Sequence, residues 1–302
     1  MNREHEMRKD AVLTAENLYF RYPENGTDTL KGIGLSLVPG EIYGFLGPSG
    51  AGKSTVQKVL IGILRNYRGS ARLFGREISR CSRDIYEKIG VSFEFPNMYG
   101  RLTALENLRL FAGLYRGPCR DPEELLSLVG LSEHGNRRVE SWSKGMKMRL
   151  NFCRALLPRP ELLFLDEPTS GLDPSNAVLV RNLILKERER GAAIFLTTHN
   201  MEVAAKLCDR VAFIADGLIA AEGSPRQLSL EAGRRDVVVE LESENGEGER
   251  CRCFSLDGIG ENAEFINWLQ SGKVERIRTL EASLEDVFLS VTGTRIAAGE
   301  EL

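Results

Sequence analysis

Apolar residues fall near every second position in two early stretches, LTAENLYFRY and IGLSLV, with the turn-rich PENGTD between them. Strands are expected there. EIYGFLG is a short apolar run that enters a glycine-rich loop, and KSTVQKVLIGIL after it repeats its apolar residues at helical spacing. From about residue 100 to 157 the pattern is mostly helical. TALENLRLFAGLY opens on Thr103 with Glu106 three residues on, the spacing of a capping box. DPEELLSLVGL puts Pro122 at a first helical position, and SKGMKMRLNFCRALL predicts a third helix. Beyond it, the strands ELLFLD, AAIFLTTH and RVAFIADG alternate with the helices SNAVLVRNLILKERERG and NMEVAAKLCD. Such alternation implies an α/β fold of parallel strands covered by helices. Near residue 230 the character changes. DVVVELES and ERCRCFSLD predict a hairpin turning around Asn245-Gly246. GENAEFINWLQSG predicts a helix, KVERIRTL a strand, and SLEDVFLSVTG a helix opened by Ser283.

Composition narrows the class only a little. The 302 residues are 42% apolar and 27% charged, with a net charge of -3. Those are ordinary globular values, and the balance gives no whole-chain reason to expect nucleic acid as a partner. No apolar run reaches the roughly 18 residues that cross a bilayer. The start, MNREHEMRKDAVL, lacks the apolar centre of a signal peptide. A soluble, cytoplasmic chain is expected. The cysteines at 81, 119, 153, 208, 251 and 253 form no C-x-x-C pair and are expected to be free thiols. Cys251 and Cys253 would share a strand face, without the nearby histidines a metal site would need. His5 and His134 read as surface residues.

GPSGAGKST, Gly47 to Thr55, fits G-x-x-x-x-G-K-[ST] at Gly47, Gly52, Lys53 and Ser54. With Pro48, Ser49, Gly50 and Ala51 it forms a loop whose backbone amides can turn inward around phosphate oxygens. Lys53 supplies positive charge to the β- and γ-phosphates, and the Ser54 hydroxyl is a candidate Mg²⁺ ligand. ELLFLDEPTSGLDP then runs four apolar residues into two adjacent carboxylates. Such charges at the end of a buried strand are unfavourable without a task. Asp166 is expected to end a strand beside the loop's own strand and to hold Mg²⁺ opposite Ser54. Glu167 is expected to orient, or take a proton from, water attacking the γ-phosphate.

With these motifs in this order, residues 11 to about 225 resemble the nucleotide-binding subunits of ABC transporters. GPSGAGKST matches the Walker A motif and LLFLDE the Walker B motif. The resemblance implies a P-loop ATPase domain over 11–228: a mixed sheet core, an antiparallel β edge and a helical subdomain at about 100–157. A separate α+β appendage would span 233–292, with tails at 1–10 and 293–302. Tyr22, which read alone is a strand aromatic packed in a core, matches the aromatic that stacks on adenine. SWSKGMKMRL occupies the place of the family signature, usually close to LSGGQ. The serine and one glycine are kept as Ser143 and Gly145, while Lys144 replaces a glycine and Met146 the glutamine. In the family this motif reaches the γ-phosphate held by another subunit; Ser143 is also a helix N-cap by its own chemistry. SGLD, Ser170 to Asp173, matches the D-loop that contacts the partner subunit, and TTHN puts His199 at the switch histidine. Glu94 stands where the family usually has a metal-contacting glutamine, and either approaches Mg²⁺ or points to solvent.

The resemblance further implies a site completed by two chains, as a homodimer or with a paired ATPase subunit, sandwiching ATP. It implies a separate integral membrane permease, which would hold this chain at the cytoplasmic face of the cell membrane. Segment 94–111 lies where family members receive the permease, so Tyr99 and Phe111 either line a docking groove or pack in the core. The SLEDVFLSVTG ending and the SKGM form are similar to ATPases of the ABC-2 export type. Two other classes compete. A soluble ATP-driven regulator or clamp would need basic surfaces that the charge does not support. A P-loop kinase would leave SKGM, SGLD and TTH unexplained. The appendage either aids pairing and regulation or is an inert extension. The cargo is not written in this chain.

Overall fold

The computed structural model describes residues 10–24, 26–232, 236–241, 251–271, 274–280 and 282–293. The expected turn at Asn245-Gly246, His5 and nearly all of both tails lie outside them. The described chain forms two compact units that part between Gly223 and Ser224.

The first unit begins with β1 (Leu13–Phe20) and β2 (Leu30–Leu37), followed by β3 (Ile42–Leu46) and α1 (Lys53–Leu60). Strands β4 (Arg68–Leu73), β5 (Arg76–Glu77) and β6 (Ile89–Ser92) come next. Helices α2 (Ala104–Ala112), α3 (Pro122–Leu128) and α4 (Lys144–Leu156) then lead to β7 (Leu162–Asp166). The unit closes with α5 (Pro174–Glu189), β8 (Ala193–Thr198), α6 (Met201–Leu207), β9 (Arg210–Ala215) and β10 (Leu218–Gly223). Two sheets result, an antiparallel one in the order β2-β1-β4-β5 and a six-stranded one in the order β10-β9-β3-β8-β7-β6. The six-stranded sheet is parallel except for β10. β3, β7 and β8 are buried at every position, which is why they read as unbroken apolar runs. The rings of Phe45, Phe195 and Phe164, on three neighbouring strands, pack with centroids 5.7 and 5.8 Å apart.

One expectation is corrected here. β7, which carries Asp166, does not lie beside β3; β8 runs between them and pairs with both. The apolar runs specify buried strands but not their order, and the inserted β8 brings Thr197 level with Asp166. The pattern also gives no warning of β4, β5, β6 and β10. β4 and β10 are short strands that alternate with much exposed surface, and β6 has only four residues. His134 is half-buried rather than a surface residue, its ring edge-on to Trp142.

The local signals for the helices hold. Thr103 and Glu106 form the capping box of α2, Asp121 caps α3 before Pro122, and Ser143 caps α4. In the second unit, α7 (Pro225–Glu231) precedes β11 (Asp236–Leu241) and β12 (Cys251–Ser255), which pair antiparallel. α8 (Ala263–Ser271) and β13 (Val274–Leu280) follow, and the sheet order is β12-β11-β13. Val237, Val239 and Phe254 form a small core against Phe265, Trp268 and Leu269 of α8. α9 (Leu284–Thr292) opens with the capping box Ser283–Asp286 and buries Leu284, Val287 and Phe288.

Gly90 fixes how closely α4 can lie on β6. A Cβ there would stand 2.0 Å from the Ala155 carbonyl oxygen, which belongs to backbone and has no rotamer to yield. Gly90→Ala should therefore destabilise the fold by about 2–3 kcal/mol, the scale of overpacking in a core. Denaturant unfolding checks this, and a midpoint unchanged from the parent would show that α4 can ride outward freely.

Candidate functional site

β3 ends at Leu46 and the chain turns through Gly47–Gly52 into α1. Gly47 passes so close to β9 that a Cβ would lie 2.4 Å from the Ile214 carbonyl oxygen. Gly52 has φ +111°, a conformation in which a side chain is strained. The Lys53 ammonium donates to the carbonyls of Gly47 at 2.7 Å and Pro48 at 3.0 Å, so it closes its own loop from within. Burial lowers the Lys53 pKa, opposed by the charges of Glu167, Asp166 and Glu94. Ser49, Gly50 and Ser54 face out.

Helix α1 is the exception among the described α-helices of its unit. Its N-cap is Gly52, with no side chain accepting from the first turn. Helices α2 to α6 are each capped by a side-chain oxygen, from Thr103, Asp121, Ser143, Asp173 and Asn200. The first amides of α1 thus keep their hydrogen-bonding capacity for an external acceptor, and the helix dipole favours an anion there. The residues fit a nucleotide phosphate chain.

The two carboxylates meet the same region from β7. Asp166 is 8% exposed. Burial raises its pKa; a hydrogen bond from the Thr197 hydroxyl, the Lys53 charge and the Glu94 amide act the other way, while the Glu167 charge adds to the rise. Glu167 is 7% exposed and has φ +47°, an uncommon conformation for a non-glycine residue. Its Oε2 accepts from Thr198 Oγ1 at 2.9 Å. Its Oε1 accepts from the His199 amide at 2.8 Å and lies 2.6 Å from His199 Nδ1. A carboxylate accepts only, so Nδ1 carries the proton in this contact. His199 itself is largely exposed.

Lys53, Asp166, Glu167, His199 and the amide of Glu94 are therefore brought together. The side chain of Glu94 is half-buried, with its charge felt at Lys53. Tyr22 follows β1, packs edge-on to Phe20 and places its hydroxyl 3.3 Å from Thr55 Oγ1. Sequence reasoning missed Thr197 and Thr198, which hold the two carboxylates in place. The visible signal is the pair of threonines that breaks the apolar run AAIFL just before His199.

Ser143 and Gly145 stand apart from this cluster. The Ser143 hydroxyl accepts from the Met146 amide at 3.2 Å. The Cα of Gly145 faces Leu172 and the Gly171 carbonyl, so its nearest neighbours are the D-loop and not the phosphate loop. Elsewhere on the unit a groove of about 550 Å³ is lined by Phe93, Phe111, Leu114, Tyr115 and Arg154 among others. Phe111 lines it directly, while the exposed Tyr99 is not part of the lining and sits at a tilt to Phe111 with ring centroids 6.1 Å apart. Among the described residues no helix is long and apolar enough to cross a membrane.

The chain is similar to known proteins along most of its length. Residues 30–170 match the family described as ABC transporter, and residues 235–281 match the fluoroquinolone efflux ABC transporter C-terminal domain. The chain is 49% identical over 285 residues to a fluoroquinolones export ATP-binding protein of Mycobacterium tuberculosis, covering 94% of each chain. It is 36% identical over 283 residues to the Nod factor export ATP-binding protein I of Paraburkholderia xenovorans, covering 87% of this chain and 92% of that one. Among solved structures, a dimeric ATP-binding cassette in a post-hydrolysis state with ADP and phosphate matches with a TM-score of 0.65 and 26% identity. That match covers 70% of this chain and 98% of the other. The chain belongs to the ABC transporter family, as an ATP-binding and ATP-hydrolysing subunit of the export type.

Proposed function

We propose that two copies of this chain close on two ATP molecules and thereby drive a separate membrane permease that expels fluoroquinolone-type drugs. The observation that carries the two-copy reading is the separation within one chain. The phosphate loop, both carboxylates and His199 gather in one place, while Ser143 and Gly145 pack on the D-loop. A second chain would bring its Ser143 hydroxyl and Gly145 amide to the γ-phosphate held by the first. The drug class rests on the two fluoroquinolone-related matches, one along nearly the whole chain and one in the second unit. The aromatic groove beside Phe93 and Phe111 suits a permease segment, which would hold the chain at the cytoplasmic face of the membrane.

In the working site the loop Gly47–Thr55 would hold the phosphates through its amides, with Lys53 turning from its own carbonyls toward the β- and γ-oxygens. Tyr22 would stack on the adenine. Ser54 and Asp166 fit Mg²⁺: an exposed hydroxyl on the residue after Lys53, and a buried carboxylate that feels the Lys53 charge and keeps a raised pKa. Glu94 would join them through its carboxylate. When bound, Mg²⁺ neutralises charge on the β- and γ-phosphate oxygens. Glu167 would orient the attacking water. A carboxylate offers about four lone pairs. Thr198 and His199 use three, which leaves one for water while holding the group in place.

Glu167→Gln should keep ATP binding and lower the hydrolysis rate by about 10²–10⁴-fold, the usual contribution of a positioned base. Light scattering should then find a dimer with Mg-ATP and a monomer without it. A monomer under both conditions would overturn the two-copy reading. Expressed with its permease, the parent chain should raise the fluoroquinolone concentration that stops growth, and the Glu167→Gln chain should not. Equal sensitivity with both would remove the drug assignment while leaving the ATPase intact.

Asp166→Asn tests the metal role from the opposite side. The carboxyl's raised pKa means that its ionised form disfavours the fold, so the nucleotide-free Asn variant should be more stable than the parent at neutral pH. The gain should shrink as pH falls through that raised pKa, because the parent's carboxyl then becomes neutral too. Mg²⁺-dependent hydrolysis should be lost at the same time. Denaturant unfolding at several pH values reads the first effect, and loss of stability at neutral pH would contradict it.

A further inference from the structure

Lys144 stands where the family signature usually has a glycine, and it makes a contact that a glycine cannot. A Cβ built on Gly171 would lie 3.2 Å from Lys144 Cε and 3.4 Å from its Cδ and Nζ. The lysine stem therefore lies across the Cα of Gly171, within Ser170–Asp173. Gly171 has φ +69° and no side chain, and both features let the stem settle there. The neighbouring Gly145 meets the same segment, 3.5 Å from Leu172 Cδ2 and 3.6 Å from the Gly171 carbonyl by the same measure. Further along α4, the charges of Arg149 and Asp173 act on one another.

The charge of Lys144 does not account for its position. It is the first residue of α4, where the helix dipole disfavours a cation, and no carboxylate occupies that first turn. Among the described residues no acidic group lies within ion-pair distance of it. Lys144 and Gly171 both remain exposed, so what the lysine gains here is a surface contact between its methylenes and the loop, of the kind amphipathic side chains make.

We propose that Lys144 is a positioning residue: its stem ties the signature turn to the D-loop, so that the two segments offered to a second copy are held as one surface. This rests on the two-copy reading above. Ser143 and Gly145 at the start of α4, and Ser170–Asp173 before α5, come from different parts of the chain and are joined by a loop–helix contact rather than by regular backbone pairing. In a signature with glycine at this position, that contact has no side chain to make it. Lys144 then acts through the D-loop and needs no contact with nucleotide.

The test uses the full-length chain with Lys144→Ala, which removes the stem, and Lys144→Met, which keeps its reach and removes the ammonium. Hydrogen–deuterium exchange over residues 169–173 is measured first, without nucleotide. Exchange should quicken about 5- to 10-fold in Lys144→Ala, as expected for losing packing equal to between one and two buried methylenes from a local opening equilibrium, and stay near the parent rate in Lys144→Met. The second measurement adds Glu167→Gln and reads the ATP concentration that produces dimer. It should rise by a similar factor with Ala and not with Met, while ADP affinity of the monomer stays constant. Unchanged exchange in Lys144→Ala would overturn the proposal. So would a Met variant that behaves like Ala, since that would assign the effect to the ammonium. Absence of ATP-driven dimer in Glu167→Gln alone would sink the two-copy reading, and the exchange experiment would still decide whether the stem holds the loop.

Discussion

Two adjacent carboxylates buried at the end of a parallel strand set the terms for the rest of the first unit. Asp166 and Glu167 repel one another, and neither has bulk water to screen it. The fold answers by running β8 between β7 and β3. The end of β8 then delivers the Thr197 hydroxyl to one carboxylate, and the Thr198 hydroxyl with the His199 amide and ring to the other. Lys53 approaches from the loop after β3. The strand order that looks arbitrary in topology is what makes the charge arrangement tolerable.

The compensation is incomplete at several points around the phosphate loop. Asp166 keeps a raised pKa, Lys53 a lowered one, and Glu167 a left-handed backbone. Helix α1 opens without a side-chain cap. Beneath the loop, Gln57 Nε2 is buried without a hydrogen-bond partner among the described residues. Each of these would be a small fault in a domain selected only for stability. Together they describe a site that is held ready, because a phosphate chain supplies acceptors for the α1 amides and negative charge for Lys53. A nucleotide that binds this fold and not the unfolded chain also stabilises it, so the strain and its relief are parts of one cycle.

How far the sequence discloses this depends on whether the relevant physics is local. The phosphate loop, the capping box at Thr103, the helix start at Ser283 and the fully buried strands were legible, because spacing and residue type decide them within a few positions. Strand order was not, since β7 and β8 are equally apolar and nothing in either run says which lies beside β3. β6 was hidden for a related reason. Four residues carry no period, and the strand forms by pairing with β7, with Gly90 leaving room for the Ala155 carbonyl of α4. Asp166 and Glu167 could be named from their place after an apolar run. The threonines that hold them could not be assigned that task before the register of β7 on β8 was known. Tyr22 shows the limit from the other side. Its core packing and its hydroxyl contact with Thr55 satisfy the local reading, and only its place ahead of the loop suggests adenine.

A chain that carries each half of a site at a different place gains a means of control that a complete site lacks. The motor residues are assembled without a partner: the lysine, both carboxylates and the histidine are already within hydrogen-bonding or electrostatic reach of one another. What a single chain does not bring to them is Ser143, which caps α4, and Gly145, which rests on the D-loop. Under the two-copy reading, hydrolysis then depends on how two chains are presented to one another. Under the same reading, a permease that gripped both chains at the aromatic groove would set that presentation without touching the chemistry. The departures at Lys144 and Met146 fall on the presented half, while Lys53, Asp166, Glu167 and His199 keep the family's residues. The third departure, Glu94, lies inside the cluster, its charge felt at Lys53 and its amide at Asp166, so variation reaches both the half that reading presents to a second chain and the edge of the phosphate site.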